Sequence, residues 1–548
     1  MPGQTVHIGE RVVRVGADLL FTNGPVWLGP GLRTDALAVT AGRISALGAD
    51  ATAAGATEVV DLDGGLLLPA FSDGHCHPPQ AGMEKLGPSI SDLDSVEAIV
   101  AEVGRYAAAH PELGWIVGGS YEPALAPGGS FHAAWLDAVV ADRPVLLRAH
   151  DYHTVWCNSR ALEVAGVDAS TPQPATGLID RFADGRPVGT LREPEAYTLV
   201  DRFAPSPTPA VWADALRLAC ADMAAVGVTW MQDAWVDEGG HRPYLALLGR
   251  GELGVRTNLA WLAEPDCWRD QLAVFVAQRE EVAAAGAPRL LTGDTVKFFA
   301  DGVIESATAE MLEPYLDTHD HGRAVWPPDE LARAVAAIDA LGFQTHIHAI
   351  GDAAVRHALD AIEHATRTNP DRDRRPVITH VQLAEASDLA RFAPLGVVAA
   401  MQTYWAQHDA LMDELTAPRL GPDRTDRQYP VATLLGLGAR VSIASDWPVS
   451  TNSPLEALTV AATRQNDAGL PVGGWMPHER LPLEAGLLAA TATGAYQGFT
   501  DAFRGSLTVG RDADLVQLDR DVTAADPALA RTAEVRGTWL AGTATHQR

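Results

Sequence analysis

Five short apolar runs recur through the middle of the chain, each ending in polar residues: TVKFFADG, FQTHIHAIGD, PVITHVQLA, VVAAMQTYWA and ARVSIASDWP. Apolar runs of this length, closed by polar or turn residues, read as buried strands. The segment AAVRHALDAIEHATR, between the second and third runs, repeats its apolar positions at helical spacing. Before the second run, PPDELARAVAAIDALG opens on prolines that suit a helix start and closes on Gly342, a helix stop. Strand and helix alternate, which implies right-handed βαβ units and a parallel sheet. RPVLLRAH, GVTWMQDA and LLLPAFSDGHCH extend the series backwards. The total of about eight strands favours an α/β fold of the closed (β/α)₈ TIM-barrel type over an open doubly wound sheet. In such a barrel functional groups sit at the C-terminal ends of the strands, where the polar residues fall.

The two ends of the chain read differently. Residues 10–62 and 505–545 carry short β-like runs without strong helical periodicity, such as DALAVTAGRISALG and GSLTVGRDADLVQLDRD. Together they predict one small β-sandwich built from both termini. With 548 residues, a large domain beside an accessory one is the expected division. The sandwich is expected over 1–68 and 498–548, and the barrel over 69–497. An insert at about 80–145 is too long for an ordinary connection and is expected to lie over the barrel mouth.

A formal net charge of -29 argues against non-specific nucleic-acid binding, which needs clustered Lys and Arg. The N-terminus lacks a basic segment followed by an apolar core, and no apolar span reaches membrane-crossing length, so neither a secretory signal nor a membrane partner is expected. Cys76, Cys157, Cys220 and Cys267 are scattered, as suits a reducing cytoplasm, and form no zinc-finger spacing.

Within FSDGHCH, His75 and His77 stand one residue apart. If residues 66–77 form one strand, both imidazoles share a face and Cys76 points the other way. Two neutral imidazoles on one face can grip a metal ion. Other polar residues at strand ends are Lys297, His346, His348, His380 and Asp446. Singly, each has an ordinary explanation: a strand histidine is usually a hydrogen-bonded core residue, and Asp446 could cap the next helix. Lys297 is harder to dismiss, because a lysine inside a buried strand must be neutralised, paired or modified. Jointly, five strands offering ligand types at one end of a barrel point to a metal site.

The order of motifs PAFSDGHCH, GWIVGGSYE, RAHDYHTVWCNSRALEVAGV, GTLRE, VKFFADG, HIHAIGDAAV, ITHVQLA, ASDWPV and GSLTVGRDADLVQLD resembles the amidohydrolase superfamily across nearly the whole chain. The resemblance is to its YtcJ-like branch, which includes N-substituted formamide deformylases. Cys76 is a departure, since that branch places a less reactive residue between the first two histidines. The resemblance implies a barrel beside a β-sandwich, with one or two metal ions per chain. His75 and His77 would bind the first metal, completed by Asp446. A carboxylated Lys297 would bridge to a second, held by His348 and His380. His346 shares a face with His348, and its role stays open. Nitrogen and oxygen donors without thiolate fit Zn²⁺, Mn²⁺, Fe²⁺ or Co²⁺, with Zn²⁺ expected.

The implied activity is hydrolysis of a C–N bond in a linear amide, an N-formyl or N-acyl amine, by a metal-bound hydroxide. Asp446 would act first as general base and then as general acid. Alternatives are a deaminase, a cyclic-amide or ester hydrolase on the same centre, or a non-catalytic scaffold. His153, Asp301 and Trp447 are expected near the mouth, where they either orient substrate or stabilise loops. Glu193 in GTLRE belongs to the branch's pattern with no derivable role. The expected partner is a small-molecule substrate. Barrels with such a sandwich often pair as homodimers, although no residue marks an interface.

Overall fold

The computed structural model describes residues 16–150, 152–175, 177–524 and 526–548, together with two short paired strands at Val6–Ile8 and Arg11–Val13. The rest of residues 1–15, assigned above to the sandwich, lies outside the described residues.

Eight parallel strands form the central sheet: β1 (Phe71–Cys76), β2 (Val228–Val236), β3 (Arg256–Leu262), β4 (Leu291–Phe299), β5 (Gln344–Ala349), β6 (Val377–His380), β7 (Val398–Met401) and β8 (Arg440–Ile443). Each pairs with the next in sequence order, the signature of a (β/α)₈ barrel. The predicted helices flank β5 as Pro328–Ala340 and Asp352–Thr368, and each buries an alanine-rich face that lets it lie close to its neighbour. At the seam between β8 and β1, Asp446 N donates to His75 O at 2.8 Å and His77 N donates to Trp447 O at 2.7 Å. Deeper in the same seam the Gln497 amide donates to Gly74 O at 2.7 Å and accepts from Ser442 Oγ. The barrel is therefore fastened at its C-terminal rim, where the polar residues lie.

One of the eight expected strands is replaced. RPVLLRAH supplies Val145–Ala149, which belongs to a separate five-stranded sheet and not to the barrel. Its place is taken by β3, RTNLAWL, whose apolar character is broken by Arg256 and Asn258. Both polar residues are satisfied in place. Arg256 pairs with Asp512 and Asp514 at 3.1 and 2.8 Å, and the Asn258 amide donates to Gln232 and Thr295 at 2.8 and 2.7 Å. LLLPAFSDGHCH also divides in two. Leu66–Pro69 pairs with Leu515–Leu518 in the sandwich, β1 ends at Cys76, and His77 immediately precedes the helix Pro78–Glu84.

The separate sheet runs between β1 and β2 and comprises Ile116–Tyr121, Val145–Ala149, Thr154–Cys157, Leu178–Arg181 and Pro187–Arg192. It has its own core, in which Tyr121, Phe131 and Trp156 pack ring against ring. The terminal segments form a six-stranded and a four-stranded sheet, joined by a core that includes Phe21, Leu67, Leu515 and Trp539. Among the described residues no helix is long and apolar enough to cross a membrane.

Candidate metal centre

The C-terminal ends of β1, β4, β5, β6 and β8 bring His75, Lys297, His346, His348, His380 and Asp446 into one cluster, with His77 just past β1. Strand register does much of this work: Lys297 lies opposite His346, and Ala349 opposite His380. His75 Nε2 and His77 Nε2 lie 3.1 and 2.9 Å from Asp446 Oδ1. His75 Nδ1 is 2.7 Å from His346 Nε2. His380 sits between the two halves of the cluster, its ring centroid 5.1 Å from His75 and 4.5 Å from His348. Among the described residues, the ligand atoms of His75, His77 and Asp446 all lie within 4.8 Å of one another, a grouping able to hold a metal ion. His346, left open by the sequence, is inside the cluster and shares a nitrogen contact with His75.

Backbone strain marks the same rim. His380, Val381 and Asp446 have φ values of 74°, 44° and 57°, a region that costs a non-glycine residue about 1–3 kcal/mol. Such strain persists only where the surroundings hold it, and here it accompanies ligand-type side chains at the ends of β6 and β8.

Electrostatics keep the donors available. Burial, then the nearby Lys297 and neighbouring imidazoles, pushes His75 and His346 well below the usual histidine value. His380 is pushed down by burial, then by His348 and Lys297. His348 is lowered by burial, with Asp301 opposing. Neutral imidazoles present lone pairs, the form a metal needs. Burial lowers Lys297 to about 7, and its Nζ, with no hydrogen-bond partner among the described residues, lies 4.4 Å from the centroid of the Phe299 ring. An ammonium in that position would repel a cation, whereas a neutral amine accepts modification.

Several supporting residues escaped the sequence reading. Asp73 accepts from the backbone N–H groups of His75 and Ser445, both at 3.1 Å, and from Ser445 Oγ, so it ties β1 to β8. Burial raises its carboxyl to about 6 against the pull of those donors. The Gln402 side-chain oxygen meets His380 Nδ1 at 2.9 Å and fixes that ring's orientation. Trp405 stacks on His380 at 5.5 Å with planes 4° apart. Trp235 lies 6.1 Å from His77 and 5.2 Å from Phe299, centroid to centroid. SDGH placed Asp73 in view, but loop aromatics carry no periodic signal.

The three expected substrate contacts occupy distinct settings. His153 comes from the inserted sheet, its ring 6.5 Å from that of His348, and its Nδ1 is 2.9 Å from Glu193 Oε2. Asp301 accepts from the backbone N–H groups of Ile350, Gly351 and Glu310 at 3.0, 2.8 and 2.9 Å, and lies 3.4 Å from His348 Nε2. Trp447 is half-buried next to Asp446, and its backbone N–H donates to Ser445 Oγ at 2.9 Å. Cys76 points away from the cluster as expected, and its buried thiol lies 3.5 Å from Gln232 O.

The amidohydrolase family profile matches residues 58–546. Protein LONG AFTER FAR-RED 3 of Arabidopsis thaliana is 31% identical over 92% of this chain and 87% of its own length. The N-substituted formamide deformylase of Arthrobacter pascens is 26% identical over 94% of this chain and 95% of its own. An uncharacterized metal-dependent hydrolase from Pyrococcus furiosus shares the fold at a TM-score of 0.69 and 23% identity, covering 92% of this chain and 99% of that one. The chain belongs to the amidohydrolase family, with His75, His77 and Asp446 clustered at its barrel mouth.

Proposed function

We propose that the protein hydrolyses the C–N bond of a linear amide, an N-formyl or N-acyl amine. The observation that carries this reading is the group of two imidazoles and a carboxylate at the barrel rim, beside a buried lysine with no hydrogen-bond partner among the described residues. The similarity to an N-substituted formamide deformylase over nearly the full chain supports a linear amide as the substrate.

The donor set fits a divalent cation. Three of the cluster's imidazoles are held well below the usual histidine value, Asp446 supplies an anionic oxygen, and no thiolate is present to favour a softer ion. His75, His77 and Asp446 would hold one ion, with Zn²⁺ the expected occupant. His348 and His380 would hold a second, shared through Lys297 once its amine carries a carboxylate. A divalent ion bound there supplies Lewis acidity and makes water nucleophilic at neutral pH. Asp446 takes the proton from the attacking water and returns it to the leaving nitrogen, so one carboxylate serves as base and then as acid. Trp235, Trp405 and Phe299 pack against His77, His380 and His348 and give the cluster an apolar flank.

Metal content per purified chain, followed by a screen of N-formyl and N-acyl amines for released amine, tests the reading. About two equivalents and amine release are expected. Asp446→Asn in a metal-loaded protein should lower kcat by at least about 100-fold, the scale of a lost general base. Near-normal turnover by that variant would remove Asp446 from the chemistry. About one equivalent of metal would take Lys297 out of a bridging role, and no amine release from any amide would refute the substrate class.

A further inference from the structure

We propose that Ser445 is a positioning residue for Asp446: its hydroxyl, anchored on Asp73, closes the turn that aims the Asp446 carboxylate at His75 and His77. The proposal rests on the metal-hydrolase reading above, in which Asp446 both holds an ion and moves the proton, and adds what sets its aim.

Strand β8 ends at Ile443, and Asp446 stands just beyond it, where the chain turns. Its φ of 57° is a left-handed conformation that disfavours a residue with a Cβ, so its surroundings must hold it there. Ser445 brackets it. The Trp447 backbone N–H donates to Ser445 Oγ at 2.9 Å, which makes a side-chain-closed turn with Asp446 at its centre. A backbone N–H can only donate, so the hydroxyl accepts there and its single proton goes to Asp73 Oδ2. The main chain of Ser445 is tied as well. Its N–H donates to Asp73 Oδ1 at 3.1 Å, and its carbonyl accepts from Ser450 Oγ at 2.7 Å. Held in this way, Asp446 Oδ1 lies 3.1 Å from His75 Nε2 and 2.9 Å from His77 Nε2.

The anchor belongs to the facing strand and is built in the same manner. Asp73 lies opposite Met231 and Cys76 opposite Asp233, so β1 carries an extra residue over that stretch and bulges around His75. Asp73 Oδ1 accepts from His75 N at 3.1 Å and closes a second turn over Gly74. A Cβ at Gly74 would lie 2.8 Å from Gln497 Oε1 and 2.9 Å from Ser442 Oγ, so the rims of β1 and β8 are pressed together there. One carboxylate thus holds the His75 turn directly and the Asp446 turn through the Ser445 hydroxyl. Asp446 N also donates to His75 O, but that bond joins the two backbones without setting the direction of the aspartate side chain. Ser445 is the contact that spans Asp446. With both turns closed by the protein's own groups, the carboxylate already faces the imidazoles, and an arriving cation need not order them.

Ser445→Ala removes the hydroxyl and leaves every proposed ligand in place. Wild type, Ser445→Ala and Ser445→Thr are compared by Zn²⁺ competition against a chromophoric chelator. In Ser445→Ala one bound equivalent should weaken by more than about tenfold while any second stays within about twofold, the usual scale for losing a group that orients a ligand. The visible spectrum of the Co²⁺-loaded variant should shift, because those bands report ligand geometry. At saturating Zn²⁺, kcat on an N-acyl amine should fall more than about tenfold with KM within about threefold, as a misaimed proton carrier requires. Ser445→Thr keeps the hydroxyl and should restore both affinity and spectrum. Asp73→Asn keeps the side-chain volume but turns an NH₂ group towards the hydroxyl. It should weaken the same equivalent, and it carries the test if Ser445→Ala does not fold. A lower melting temperature with wild-type Zn²⁺ affinity and Co²⁺ spectrum would make Ser445 merely structural and overturn the proposal, as would equal weakening of two bound ions. A wild type that binds Zn²⁺ but hydrolyses no amide overturns the amide reading alone, and affinity and spectrum still decide the role of Ser445. A wild type that binds no Zn²⁺ overturns both.

Discussion

At Lys297 a buried amine has no hydrogen-bond partner among the described residues, and burial destabilises its charged form. Its value falls from 10.5 to about 7, so between those limits the unfolded chain holds a proton that the folded chain has released. Stability of the metal-free, unmodified protein should therefore rise with pH across that window, at up to about 1.4 kcal/mol per unit from this one group. Lys297→Met should flatten that slope, as chemical denaturation at a series of pH values would show. In the metal-loaded protein, the same substitution should halve the bound metal if the amine bridges two ions. At this scale the sequence was most legible. Histidine, lysine and aspartate at the ends of apolar runs are conspicuous because such positions are costly unless they do something. His153 was visible for the same reason. Its pairing with Glu193 was not, because that contact depends on antiparallel register inside the insert, which no periodicity encodes.

Elements place these residues with little slack. The helix Pro78–Glu84 starts at His77 and lies so close to the helix Pro209–Ala225 that a Cβ at Gly82 would come within 1.9 Å of Ala215 O. Gly82→Ala should therefore cost about 1–3 kcal/mol as the helices separate, and should weaken metal binding through His77. A denaturation curve and a competitive Zn²⁺ titration would show both effects. Strand identity was only partly readable. RPVLLRAH and β3 are both short runs at strand length, and period-two reasoning cannot tell a strand of an inserted sheet from a strand of the barrel. β3 was hidden by Arg256 and Asn258, whose partners lie far away in sequence or on neighbouring strands.

Across the whole molecule, the sandwich and barrel are joined by buried charge. Asp514 accepts from Arg256 at 2.8 Å and from Arg504 at 3.3 Å, Asp512 adds Arg289 at 2.6 Å, and Arg504 donates to Ser72 Oγ at 2.8 Å. Asp514→Asn would leave two buried guanidinium groups short of a counter-charge, and should destabilise the protein by about 3–5 kcal/mol in denaturant titration. The tail GSLTVGRDADLVQLD supplies these carboxylates, so its presence in the sequence was legible while its contact with β3 was not. Stripping metal with a chelator should also lower the melting temperature. Ligand at about 1,000 times Kd stabilises the folded state by about 4 kcal/mol, and that contribution disappears with the ion.

The closed rim between β1 and β8 has a consequence for how the protein is made. His77 and Asp446 are separated by 369 residues, so the His75, His77 and Asp446 trio is contributed by the first and last staves of the barrel. Bringing such distant points together costs about 5 kcal/mol of chain entropy plus a constant. A nascent chain still lacking β8 has two of the three ligands and no seam to fasten. Metallation through this trio would thus be a terminal event in biogenesis. A cation bound there would work as a staple across the longest loop in the barrel, holding shut the ring that created its own binding place.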